Sequence, residues 1–283
     1  MQYGVSFPHV PFGAVSQTRD LAQTYDNAAF DYMTLGGHLL TARPGRYKGR
    51  PDRLYATPFH DPFVVFAYLA AVTSRIRLIT SIAILPMLET AVVARQAIDL
   101  AFLSNDRYEL GVGLSWQEAE YRALGHDLRQ RGARMTEQVQ LLKLFWSQRF
   151  VTYKGKFHDI DDVGFDRIPR KPIPLWFGSQ FGEAALRRVA SYGDGWMPLT
   201  DPTDVMARFR GYLSDAGRDP ASCKIMGNLT AGEGGPDAWI VEAKRLQSIG
   251  ITHLTIGPDP ALMGDAGVER AIEAREAISK ALQ

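Results

Sequence analysis

Cysteine is nearly absent, and the single thiol, Cys223, rules out an intramolecular disulfide framework. Charge of one sign is missing too. The 32 Lys and Arg against 31 Asp and Glu leave a formal charge of +1, so nothing pulls the chain generally toward nucleic acid or an anionic membrane. The apolar run Ile76 to Leu85 is too short for a membrane span, and the opening MQYGVSFPHV lacks the basic and long apolar regions of a signal peptide. A protein of the reducing cytoplasm is expected, with a small-molecule substrate and neither nucleic acid nor membrane as partner. No His-x-His pair is present, which argues against the converging imidazoles of metal-dependent barrel hydrolases.

What is present is a repeating rhythm. Ile76 to Leu85 is continuously apolar and β-branched, as a strand buried on both faces requires. Glu89 to Leu103 then spaces Val92, Val93, Gln96, Ala97, Leu100 and Leu103 near helical period, and Arg107 to Val112 returns to strand chemistry before Gly111-Val112-Gly113. This is a βαβ unit, which implies parallel strands sandwiched by helices. About eight strand-then-helix pairs follow the same plan. Strands are predicted at Gln2–Phe7, Phe30–Leu35, Ile173–Phe177, Gly195–Pro198, Lys224–Asn228 and Thr252–Ile256. Helices are predicted at Ser16–Ala29, Pro62–Val72, Glu183–Ser191, Thr203–Ala216, Asp237–Ser248 and Val268–Leu282, with Gln117–Trp146 helical but interrupted near Gly125 and Gly132. The 283 residues suit one α/β TIM (β/α)8 barrel as a single domain over 1–283. Two departures stand out: a Gly-, Pro- and Arg-rich loop, Gly36 to His60, after strand two, and an inserted segment at 147–170 before strand five. The insertion reads as a hairpin about a Lys154-Gly155 turn.

A barrel of this kind places its site at the carboxyl ends of the strands. Those ends carry glycines, small hydroxyls, aromatics and the histidines His9 and His38. A Schiff-base aldolase would need a buried lysine there, yet Lys224 begins its strand and faces the other end. Gly178-Ser179, between the strand PLWF and a helix start, is placed to hold a phosphate through backbone N–H groups; Gly111-x-Gly113 has the same chemistry but lacks a full dinucleotide signature. Trp116, Trp176 and Trp196 read as packing residues. His158, Asp159, Asp161 and Asp162 read as a solvated hairpin edge, and no metal site is assigned.

RIRLITSIAILP, VVARQAIDLAFLSNDRYELGVGLSWQEAEYRALG and KPIPLWFGSQFGEAALRRVASYGDGWMP together resemble the bacterial luciferase-like monooxygenase superfamily. The resemblance spans most of the chain and is nearest to its F420-dependent oxidoreductase branch. It implies a TIM barrel that binds coenzyme F420 or, alternatively, FMN, and a homodimer. It also implies a non-prolyl cis peptide behind the cofactor ring at Ser81-Ile82, with Ala83 adjoining, cofactor contacts at Gly111 and Gly113, and a phosphate turn at Gly178, Ser179 and Gln180. His38 matches the histidine that manages protons in F420-dependent relatives, which implies a catalytic role. Relatives frequently carry Asp before that His; Gly37 stands here, so any carboxylate that orients the ring must come from elsewhere. Trp116 occupies the segment where the sugar-phosphate dehydrogenases have an acid, so that activity is not supported. Arg43, Arg46, Lys48, Arg50 and Arg53, against Asp52 alone, make the loop after strand two a basic lid suited to the anionic tail of F420. Hydride transfer between F420 and a small organic substrate is therefore expected. An FMN-dependent monooxygenase is the alternative, and a flavin-binding barrel without catalysis is the third reading.

Overall fold

The alternation of β-branched runs and helical stripes closes into a ring in the computed structural model, which describes residues 1–9, 15–41, 43, 45, 59–232, 234–258 and 264–282. The strands are β1 (Gln2–Ser6), β2 (Tyr32–Leu35), β3 (Arg77–Thr80), β4 (Ala83–Ile84), β5 (Tyr108–Gly113), β6 (Phe150–Lys154), β7 (Asp159–Gly164), β8 (Leu175–Ser179), β9 (Gly195–Pro198), β10 (Lys224–Ala231) and β11 (His253–Pro258). The main helices are α1 (Val15–Asn27), α2 (Pro62–Val72), α3 (Thr90–Leu103), α4 (Glu118–Ala123), α5 (Arg131–Ser147), α6 (Glu183–Tyr192), α7 (Met206–Asp215), α8 (Gly235–Ile249) and α9 (Asp265–Ala281).

All barrel pairings are parallel, in the order β3-β2-β1-β11-β10-β9-β8-β5, and β5 pairs back with β3 to close the ring. Eight strand positions result, because β3 and β4 are two halves of one. The continuous strand expected at 76–85 is broken at Ser81-Ile82, whose peptide bond is cis. Each half pairs with β5: Leu78 and Ile79 oppose Tyr108 and Glu109, whereas Ala83 and Ile84 oppose Val112 and Gly113.

Inside the ring, Tyr32, Ile79, Trp176, Met197 and Met226 form an apolar layer. Beneath it lies the buried carboxylate of Glu109, which is paired with Arg77 and accepts the Trp176 indole N–H at 2.6 Å. A charge buried here is tolerated because both oxygens are bonded. Glu109 and this layer fill the middle of the ring.

Two expectations about the insert need correction. The hairpin is β6–β7, but its turn is the loop 155–158, closed by the Gly155 N–H to the His158 carbonyl at 2.9 Å, rather than a tight Lys154-Gly155 turn. The Glu137 carboxylate pulls this loop inward, accepting from the backbone N–H groups of Lys156 and Phe157 and pairing with His158 Nδ1 at 2.8 Å. His158 also meets the Thr90 hydroxyl at 2.6 Å, so it is a buried anchor, while Asp159, Asp161 and Asp162 stay exposed. Similarly, the helical stretch 117–146 has one interruption, at 124–130; Gly132 lies inside α5. Among the described residues no helix is long and apolar enough to cross a membrane.

Candidate active site

A cavity of about 540 Å³ opens at the carboxyl ends of the strands, a size typical of small-molecule sites. Its floor is Ile82. The side chain of Ile82 sits on two glycines: a Cβ at Gly113 would lie 2.8 Å from its Cδ1, and one at Gly178 would lie 2.7 Å from its Cγ2. Any larger residue at either position pushes Ile82 up into the cavity. On the other side Gly36 lies flush against the 81–82 backbone, where a Cβ would fall 2.0 Å from the Ser81 carbonyl oxygen. Three glycines on three strand ends thus set the height of one apolar shelf.

The walls are Phe7, Phe59, Trp116 and Leu199, and small polar groups come from Ser6, Thr34, Asn228 and Thr255 at strand ends. None of the described lining residues is a lysine, an arginine or a carboxylate. The ionisable side chains among them are His9 and His38.

His38 follows β2 in a segment without regular structure, and three contacts fix its ring. Phe59 and Trp116 flank it at centroid distances of 5.3 and 6.1 Å, and Nδ1 lies 2.5 Å from Glu120 Oε2. Glu120 belongs to α4, and its side chain is fully buried. Its second oxygen, Oε1, accepts the Leu40 N–H at 2.9 Å. The short helix α4 is itself tied to the mouth, since Tyr121 donates its hydroxyl to the Leu114 carbonyl. Between them the chain turns at Ser115, which takes φ of 55°, a conformation that costs a non-glycine residue about 1–2 kcal/mol.

His9 is fixed differently. Its Nδ1 accepts the His60 N–H at 3.3 Å, and the ring also bonds the Gly36 backbone. Burial, and then the neighbouring His60, lowers its pKa from the ordinary histidine value, so the ring is neutral at physiological pH. Its place is that of a clamp between the loop after β1 and the two ends of the loop after β2.

The structure brings His38, Ser81, Ile82, Gly113 and Gly178 to the cavity. Ala83 is buried in β4 directly beyond the break. Gly111 lies deeper, where its N–H and carbonyl both bond the Thr80 hydroxyl at 2.6 and 2.9 Å; it is a strand-contact residue instead of a lining one. Ser179 and Gln180 form the turn into α6 at the edge of the site, with the Ser179 hydroxyl accepting the Trp196 indole N–H at 3.1 Å. Trp176 and Trp196 are fully buried packing residues, but Trp116 lines the cavity. Glu120 was the residue missed. An acid on the inward side of a short helix, next to a buried Tyr121, is the only local signal for it. Arg46, Lys48, Arg50, Asp52 and Arg53 of the basic loop lie outside the described residues.

The site defines the class: a closed eight-stranded α/β barrel with a cavity at its carboxyl face, floored by a broken third strand and lined among the described residues by no lysine, arginine or carboxylate. The chain belongs to the luciferase-like monooxygenase family, whose model matches residues 1–232. It is 30% identical over 249 residues to an uncharacterised protein of Mycobacterium tuberculosis, covering 84% of this chain and 83% of that one. Among solved structures it resembles a monooxygenase, RslO1 of Streptomyces bottropensis, with 18% identity, a TM-score of 0.84 and 100% of both chains covered. It also resembles an F420-dependent secondary alcohol dehydrogenase solved with an F420-acetone adduct, with 16% identity, a TM-score of 0.79 and 98% of both chains covered. At these identities the two structures establish the fold.

Proposed function

We propose that this protein moves a hydride between coenzyme F420 and a small uncharged organic substrate, with His38 carrying the accompanying proton. The observation that carries this reading is the pairing of His38 with the buried Glu120 at the rim of a cavity whose described lining holds no lysine, arginine or carboxylate. Two-electron chemistry that shifts a hydride leaves a proton to be moved. A rigidly held imidazole is the side chain suited to move it near neutral pH.

The residues fit a flat aromatic cofactor. Ile82 on its glycine seats is an apolar shelf of the right character, and the cavity volume suits a tricyclic ring with a small substrate above it. Gly178, Ser179 and Gln180, with the first backbone N–H groups of α6, would hold a phosphate. Gly113 seats the shelf, Ser81 adjoins it, and Ala83 follows it in β4. When bound, the deazaflavin supplies a carbon that takes or gives hydride. The aromatic walls exclude water, and His38 accepts or returns the proton. None of the described lining residues would pair with a charged substrate group, and burying one unpaired costs several kcal/mol; alcohols, carbonyls and activated alkenes without ionic groups match that lining. The five cations counted between Arg43 and Arg53 favour F420, with its phosphodiester and acidic tail, over FMN.

Mixing apo protein with oxidised or reduced F420 and a panel of such substrates tests the reading through the deazaflavin absorbance. Neither binding nor turnover of F420 would refute it. A second reading, an FMN-dependent monooxygenase, is favoured by the family match and the likeness to the Streptomyces monooxygenase. It requires retained FMN and flavin-dependent oxygen consumption. We further propose a single-domain cytoplasmic homodimer, for which the exposed Phe102 and Leu103 offer apolar surface.

A further inference from the structure

We infer that Glu120 is the positioning residue for His38: it fixes the hydrogen on Nδ1 and leaves Nε2 as the bare nitrogen that faces the cavity. This rests on the functional reading for its purpose, but its physical content belongs to the protein alone.

The argument starts at Gly37. A carboxylate on the residue before His38 would be the nearest way to orient the ring, but Gly37 stands there, in a tight position. A Cβ at position 37 would already lie 3.0 Å from the His60 carbonyl oxygen and 3.5 Å from the Phe59 side chain. Gly37 brings no carboxylate, and the one that meets the ring arrives from 82 residues away on α4. Its geometry is two-handed. Oε2 takes His38 Nδ1 at 2.5 Å while Oε1 takes the Leu40 N–H at 2.9 Å, so one side chain holds both the ring and the backbone two residues beyond it.

The direction of the hydrogen follows from chemistry. An ionised carboxylate only accepts. Its Leu40 partner is a donor, and a fully buried carboxylate oxygen facing a second acceptor would be left unpaired, at a cost of several kcal/mol. Nδ1 must therefore donate. In a neutral imidazole the hydrogen sits on one nitrogen, so Nε2 holds a lone pair. Phe59 and Trp116 prevent the ring from swinging away. His38 is thereby set as a proton acceptor at rest, and a donor only after it has taken a proton.

The test reads the tautomer directly. Long-range 1H–15N correlation of the histidine rings in 15N-labelled apo protein at about pH 8 separates the two forms, with His38 assigned by its loss in His38→Gln. The expected result is hydrogen on Nδ1 and a bare Nε2 in the wild type. In Glu120→Gln a single amide oxygen faces two donors, so the Nδ1–H pattern gives way to a mixture. In F420-linked turnover the same variant should lose roughly 10- to 100-fold in kcat with the cofactor Kd nearly unchanged. Hydrogen on Nε2 in the wild type overturns the inference, as does an unaltered tautomer in Glu120→Gln. If that variant fails to fold, the wild-type tautomer still decides. Because the spectrum needs no cofactor, the expected tautomer in a protein that neither binds nor turns over F420 would sink the functional reading and leave Glu120 in its role.

Discussion

Gly178→Ala probes the shelf beneath the proposed cofactor ring. The added Cβ would stand 2.7 Å from Ile82 Cγ2, with the rest of the Ile82 side chain beyond 3.5 Å. Carbon atoms rest at about 3.5–4.0 Å, so Ile82 must rise by about 1 Å into the cavity. Overpacking of this kind costs about 1–3 kcal/mol, and here the displaced atoms move into the space that a planar ring would fill. The expectation is F420 affinity weakened about 10-fold, which corresponds to about 1.4 kcal/mol, alongside a modest fall in Tm. Removing the obstructing atoms should undo the effect. In Gly178→Ala combined with Ile82→Ala, the affinity loss from the alanine at 178 should shrink to a few tenths of a kcal/mol, giving a coupling energy near 1 kcal/mol. Titration of the apo proteins by tryptophan quenching supplies all four corners of the cycle. A Gly178→Ala protein with wild-type affinity would refute the shelf. Additive single effects would show that Gly178 acts through its backbone alone.

Buried His253 makes a stability prediction. Burial, followed by Arg77 and Lys224, pushes its pKa down to about 3. The unfolded chain takes a proton near 6.5 that the folded ring refuses, so this contribution is complete above that pH and is lost as pH falls toward 3. The full difference is worth about 5 kcal/mol, and urea unfolding at stepped pH should show a slope that His253→Asn flattens. The insert makes another. Burial pushes the Glu137 carboxyl up, but hydrogen bonds from His158, Phe157 and Lys156 outweigh it and hold the pKa below the usual glutamate value. Hairpin docking is then present above the unfolded glutamate pKa and lost as pH falls through the folded one, and Glu137→Gln should raise amide exchange across 155–158 at neutral pH. Unchanged exchange would contradict the anchor. Finally, His38→Ala should abolish most F420-linked turnover, by roughly 100-fold or more, without displacing the cofactor; a matching loss of binding would instead make His38 a cofactor contact.

The barrel was legible because its strands are buried on both faces and its helices carry apolar stripes, which leave periods of two kinds in the sequence. The break in the third strand was not, since Ser81 and Ile82 look like any strand residues, and only the family resemblance pointed to that bond. The turn of the hairpin was placed too early for a similar reason. Lys154-Gly155 has local turn chemistry, whereas the loop that forms is held by Glu137, 18 or more residues upstream. Among the expected site residues, His38, Gly113 and Gly178 could be placed at the cavity because topology fixes where strand ends go. Gly111, expected as a cofactor contact, lies deeper against Thr80, since spacing alone does not tell which of two glycines two residues apart touches a neighbouring strand. Glu120 depended on how α4 leans on the loop after β2, a contact between distant segments that local pattern does not encode.

Equilibrium binding of F420 and FMN to the apo protein, side by side and at two salt concentrations, tests the central claim most directly. Preferential binding of F420, weakened by salt, is the result predicted by the cations counted between Arg43 and Arg53. Tight FMN binding without F420 binding would contradict it and assign the barrel to flavin monooxygenation.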